Sequence, residues 1–277
     1  MRPLWKGAIS FGLVNVPVKL YPATESQDLK FNYLHSRCQT PIQYRKYCPH
    51  CRAEVPPEEI VRGYEYEKGR YVIIREEDLA GIPADTTHSI NIMDFVDLPE
   101  IDPVYFARSY YLVPGEMGQK PYTLLRQAMA ETGKVAIARV TLRTRESLAA
   151  VRVYGPALVI NTMFYPAEVR AISALPELDF QVDLHANEVK MAVTLIKSLA
   201  TSFQPEKYTD TYRQDLMKVI EAKIAGDEVA VPARPEAGKV VDLMEALKAS
   251  IELAKKEKEG VTAGTAADKP RRRRKTS

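Results

Sequence analysis

All three cysteines of this 277-residue chain lie between Leu34 and Cys51, in LHSRCQTPIQYRKYCPHC, together with His35 and His50, half of the four histidines. His35-x2-Cys38 and Cys48-x2-Cys51 have the same internal spacing, which lets two side chains of one tight turn meet a single ion. Together they offer one imidazole and three thiolates, a closed tetrahedral set with no open position for a substrate. The expected chemistry is therefore a structural zinc that pins a loop lacking its own core. His50 competes for the fourth place, but it adjoins Cys51, and adjacent residues rarely chelate one ion comfortably, so His35 is preferred. Two other readings stay open: three ordinary thiols, and a redox pair at Cys48 and Cys51. Against the redox pair stands the missing helix after the motif.

Elsewhere the search for a catalytic set fails. AISFG at Ala8–Gly12 nearly matches the nucleophile elbow, yet it lacks the first glycine, and LVNVPVKLY after Ser10 reads as a strand where a helix should follow. In PELDFQVDLHANEVK, Asp179 or Asp183 with Glu188-x-Lys190 echoes the carboxylates and lysine of metal-dependent nucleases. That site needs Glu188 and Lys190 on one face of a strand. They open a helical pattern instead, where residues two apart diverge, so a helix-end carboxylate and a solvated charge are expected. The chain has no phosphate-loop, dinucleotide or His-Glu-x-x-His motif. Binding, and not catalysis, is the expectation.

Charge points the same way. Read as one strand, KVAIARVTLRTRE puts Arg139, Thr141, Arg143 and Arg145 on one face and Ala138, Val140, Leu142 and Thr144 on the other. A row of guanidinium groups suits phosphates along a nucleic-acid backbone, contacts that hold without reading bases. An exposed face charged for solubility and edge protection is the competing reading. The C-terminal KPRRRRKTS adds Lys269, Arg271, Arg272, Arg273, Arg274 and Lys275 without an acid. Those six taken from 39 basic residues leave 33 against 36 acidic, so the body is at −3 and the tail reverses the sign. A polyanion, with nucleic acid first, is the expected partner, and a merely solubilising tail the alternative.

The elements that must position these groups begin as β. ISFGLVNVPVKLY alternates apolar and polar residues, with Gly12 and Pro17 marking a bulge or an edge. GRYVIIREEDL and VYFARSYYLVP read as strands, PYTLLRQAMAETG as a helix stopped by Gly133, and KVAIARVTLRTR and GPALVINTMFY as two further strands. The fold class expected is α+β, with a mainly antiparallel sheet or barrel and an inserted helix. Beyond Pro176 the pattern turns helical, in NEVKMAVTLIKSLATSF and in DTYRQDLMKVIEAKIAG, with Asp210 as N-cap and Gly226 as stop. A Pro-containing linker at 227–239 leads to an amphipathic helix at 240–258 with Leu243, Leu247 and Ile251 on a stripe. Residues 259–277 lack apolar periodicity and should be disordered. No apolar run is long enough to span a membrane, and few cysteines without an export signal fit a reducing cytosol.

PLWKGAISFGLVNVPVKLY, RGYEYEKGRYVIIREEDL, GQKPYTLLRQAMAETGKVAIARVTLRTRE and QPEKYTDTYRQDL resemble the bacterial Ku family of non-homologous end joining, from Met1 to about Gly226. VVDLMEALKAS with its basic tail is similar to that family's variable C-terminal extension. The resemblance implies a core over 1–226 and a homodimer whose β-barrel bodies and arms form a ring around duplex DNA. Such a ring threads only from a free end, ignores sequence and does not load on closed circles. It further implies recruitment of an ATP-dependent ligase, commonly ligase D, no enzymatic activity of its own, and a cytoplasmic, nucleoid-associated location. The stripe of Leu243, Leu247 and Ile251 is then the candidate ligase-docking surface, with packing onto the body as the alternative. Zinc rests on the spacing, because not every member is expected to keep the cysteines.

Overall fold

The computed structural model describes residues 1–75, 77–78, 88–142, 145–226 and 244–253. Strands β1 (Trp5–Phe11) and β2 (Val14–Pro22) fold about a two-residue turn. Gly12 supplies its left-handed φ of 58°, which a glycine adopts without a steric penalty. The expected bulge or edge is thus a hairpin turn. Pro17 sits inside β2 opposite Ala8, and the later strand Phe106–Pro114 begins its pairing with β2 only at Val18.

Seven strands close into a barrel in the order β1-β2-β8-β11-β10-β9-β7. The remaining strands of that wall are β7 (Ser89–Asp97), β8 (Phe106–Pro114), β9 (Lys134–Leu142), β10 (Arg145–Tyr154) and β11 (Ala157–Met163). Every neighbouring pair is antiparallel except β1 and β7, which run parallel through Ala8↔Ser89, Ile9↔Ile90 and Ser10↔Asn91. Alternation along the strands turns Ile9, Val18, Leu20, Ile90, Leu112, Val140, Val151, Leu158 and Ile160 into one buried cluster. The barrel is a packed core and not a pore.

Helix α1 (Gln119–Thr132) buries Tyr122, Leu125 and Met129 in that same cluster and ends, as expected, at Gly133 with φ 67°. The Tyr122 hydroxyl stitches it to the wall: it donates to the Leu112 carbonyl and accepts from the Leu158 N–H, each at 2.7 Å. Strands β7 and β10 escape the sequence reading for identifiable reasons. A bulge between Ile92 and Asp94 breaks the alternation of β7. In β10, Ala149 and Ala150 are fully buried but are weak strand formers.

Between β2 and β7 the chain leaves the barrel. Two small hairpins form there, β3 (Tyr47–Cys48) with β4 (Ala53–Glu54) and β5 (Arg62–Glu67) with β6 (Arg70–Ile74). No residue from 23 to 75 is buried. This arm has no core of its own, as the cysteine reading supposed.

The chain divides into two compact units, Met1–Ala174 and Leu175–Ser277. The second unit carries α2 (Ala186–Leu199), α3 (Thr211–Ala225) and α4, residues 244–253. Asp210 caps α3 by accepting from the Arg213 N–H at 2.9 Å, and Gly226 stops it at φ 83°, both as expected. The linker at 227–239 and the tail at 259–277 lie outside the described residues, as do the ends of the expected 240–258 helix. Among the described residues no helix is long and apolar enough to cross a membrane.

Candidate nucleic-acid interface and cysteine pairs

The cysteines sit on two turns built alike. In the first, Leu34 bridges Pro41, the His35 N–H donates to Thr40 and the Gln39 N–H to the His35 carbonyl at 2.7 Å. His35 Nδ1 lies 3.1 Å from Cys38 Sγ. In the second, the β3–β4 hairpin brings the Cys51 N–H to Cys48 Sγ at 3.5 Å. Hydrogen bonding from Thr40 lowers the Cys38 thiol, and the Cys51 N–H lowers that of Cys48, so both favour the thiolate that binds metals. Cys51 moves the other way because the Cys48 sulfur beside it accepts its proton and repels its charge. His50 Nδ1 is 4.0 Å from Cys51 Sγ.

The donor chemistry fits zinc, with one imidazole and three sulfurs on preformed turns. The assembly is incomplete: among the described residues no three His, Cys, Asp or Glu side chains stand together as an ion would require. The structure forms each pair and leaves the two pairs apart.

The arginine row is corrected. KVAIARVTLRTRE is not one strand: β9 ends at Leu142 and β10 begins at Arg145, paired with Leu142. Arg139 stands opposite Leu148, three pairs further along that ladder, and Arg143 lies outside the described residues. The pairing of β9 with β10 also brings a carboxylate to the row, Glu146 Oε1 at 4.0 Å from Arg139 Nε, both groups being exposed. The other half of the reading holds, since Ala138 and Val140 face the core while Arg139 is exposed.

A second cation escaped the sequence reading. Arg152 Nε donates to Asn161 Oδ1 at 3.2 Å, and Asn161 Nδ2 donates to Ser109 Oγ at 2.7 Å, a polar row across β10, β11 and β8. The guanidinium also lies over the Tyr154 ring, 5.5 Å from its centroid. Its only sequence signal is one arginine between two valines in VRVY.

The discarded catalytic candidates behave as expected. Ser10 sits in β1, followed by a turn and a strand. Glu188 is in the first turn of α2 and accepts from the His185 N–H at 2.9 Å, a helix cap. Leu247 and Ile251 are half-buried on α4, one turn apart, while Leu243 lies outside the described residues. So do Lys269, Arg271, Arg272, Arg273, Arg274 and Lys275.

The family model described as Ku70/Ku80 beta-barrel domain matches residues 10–193, the stretch that holds most of the closed barrel. The chain belongs to the Ku family. Among its relatives, a protein of Heliobacterium modesticaldum is 50% identical over 100% of this chain and 99% of its own length. One of Symbiobacterium thermophilum is 56% identical over 92% of this chain and 63% of its own, and one of Bacillus subtilis 46% identical over 91% and 82%. All three are named non-homologous end joining protein Ku. The SPOC domain of human PHD-finger protein 3 overlays 58% of the chain with a TM-score of 0.29 at 13% identity, a likeness too slight to bear on function.

Proposed function

We propose that this chain binds the ends of double-stranded DNA, without regard to sequence, in non-homologous end joining of double-strand breaks. Similarity along the whole chain to proteins carrying that name is the observation that supports the reading most strongly. Two copies close into a ring, and a duplex enters only where a terminus lets it thread. The protein contributes a scaffold and no catalytic step. In support, the barrel interior is filled with aliphatic side chains and Glu188 is engaged as a helix cap.

Affinity comes from cations against phosphate: Arg139, Arg143 and Arg145, with Arg152 towards the far end of β10, and Lys269, Arg271, Arg272, Arg273, Arg274 and Lys275 in the tail. Zinc held by His35, Cys38, Cys48 and Cys51 fastens the arm, whose exposed residues supply no apolar core of their own. The stripe of Leu243, Leu247 and Ile251 receives an ATP-dependent ligase, ligase D, whose joining it stimulates. A gel shift with one plasmid, circular and linearised, with magnesium present, tests the reading. Retention of the linear form alone, uncut, is expected. Cutting would favour a metal-dependent nuclease, and equal binding of circles with sequence preference a zinc-containing adaptor.

A further inference from the structure

The turn at the tip of β1–β2 is apolar throughout, which its geometry does not demand. Gly12 carries the positive φ, whereas Leu13 occupies a position that any polar residue could fill. Leu13 is nevertheless fully exposed, flanked by Phe11 and Val14, which are also exposed. Loop tips are ordinarily polar, so this one is an apolar knob that nothing among the described residues covers.

Beside the knob lies a hole. Phe11, Val14 and Phe95 from the barrel and Leu124, Leu125 and Met129 from α1 line a groove of about 340 Å³ whose walls are almost wholly apolar. Phe11 and Phe95 meet edge to face at 5.6 Å and fix one side. Leu124, on the other side, is two-thirds exposed. Lys134 at the rim, the one cation there among the described residues, is held by Asp97 at 2.9 Å, so the groove presents no unpaired charge from that residue.

We propose that this face is where two copies of the chain meet, each inserting Leu13 into the groove of the other. Knob and groove share one hairpin, since Phe11 and Val14 both flank Leu13 and wall the groove. A face carrying both shapes is complementary to itself under a two-fold rotation, the commonest symmetry of homo-oligomers. A foreign apolar segment would use the groove and leave the knob projecting beside it. The inference rests on the proposed assembly of two copies and names a contact for it, without depending on DNA.

Sedimentation equilibrium of the full chain without DNA tests it, with circular dichroism and melting as controls for folding. The wild type should sediment as a dimer. Leu13→Glu and Leu124→Glu should each weaken association about a thousandfold, because the two-fold axis repeats every loss. Leu13→Lys combined with Leu124→Glu should recover most of it. Leu13→Asn, which the turn accepts, gives the same reading if a charged variant misfolds. Variants that keep the wild-type mass, or a double variant that recovers nothing, overturn the contact. A wild-type dimer unaffected by these changes sinks this inference alone, and a wild-type monomer sinks the ring as well. Dissociated variants whose parent binds circles as well as linear DNA would leave the contact standing and remove the ring.

Discussion

Gln39 and Arg52 hold the same place in two turns: each follows by four residues the first member of a candidate ligand pair, at φ of 56° and 51°. Left-handed backbone costs an ordinary L-residue about 1–2 kcal/mol. Two such costs at matching positions on an arm without a core imply that the shape of the turns is what is retained. Glycine at either position should keep the turn, and valine, branched at Cβ, should distort it. Arg52→Gly is expected to bind zinc at least as tightly as the wild type, and Arg52→Val about tenfold more weakly, in competition with a chromogenic chelator.

Freshly purified, reduced protein should carry about one zinc per chain. His35→Ala and Cys48→Ser should each lower the metal content sharply, while His50→Ala leaves it intact. Elemental analysis decides it, and metal-free wild type under reducing conditions would end the zinc reading.

Glu146 lies 4.0 Å from Arg139, so in the proposed interface it offsets part of that guanidinium's attraction for phosphate. Binding to a linear duplex should weaken as salt rises, and Arg139→Ala should reduce the slope of log K against log salt by about one. Removing Lys269–Ser277 should reduce it by up to about five. Glu146→Gln should tighten binding severalfold at low salt by freeing the guanidinium. An unchanged slope without the tail would remove the tail from the interface.

Tyr122 satisfies two backbone groups in a buried setting. Tyr122→Phe strands the Leu158 N–H and the Leu112 carbonyl and should cost about 1–3 kcal/mol, seen as a lower melting temperature. Burial raises the phenol above its usual value of 10.0, so the neutral form is the one the fold favours. The sign follows: this contribution is complete below pH 10 and is lost as pH rises through the folded-state value. Wild-type protein should therefore lose stability at strongly alkaline pH more steeply than Tyr122→Phe in a melt-versus-pH series.

What the sequence disclosed follows from how local each signal was. Gly133 and Asp210 mark helix ends through chemistry confined to a few residues, and both marks agree with the structure. The break between β9 and β10 was missed because Arg139, Leu142 and Arg145 keep a strand-like rhythm straight through a reversal of the chain. Periodicity reports which residues share a face and is blind to where the chain doubles back. Closure of the barrel by a parallel seam depends on partners far apart in the chain, which no window of a dozen residues can reveal. The cysteine pairs were legible as pairs, because three residues set their geometry, whereas the approach of one pair to the other is set by the whole arm.

That seam has a consequence for synthesis. Ala8 finds its partner Ser89 only after roughly eighty further residues have been made, including the entire arm. The opening hairpin thus leaves the ribosome with both flanks unmatched, β1 awaiting β7 and β2 awaiting β8, and stays so for seconds. Barrel closure should accordingly be a slow event in maturation, and a lesion in the excursion from 23 to 88 would damage yield before it damaged the finished molecule.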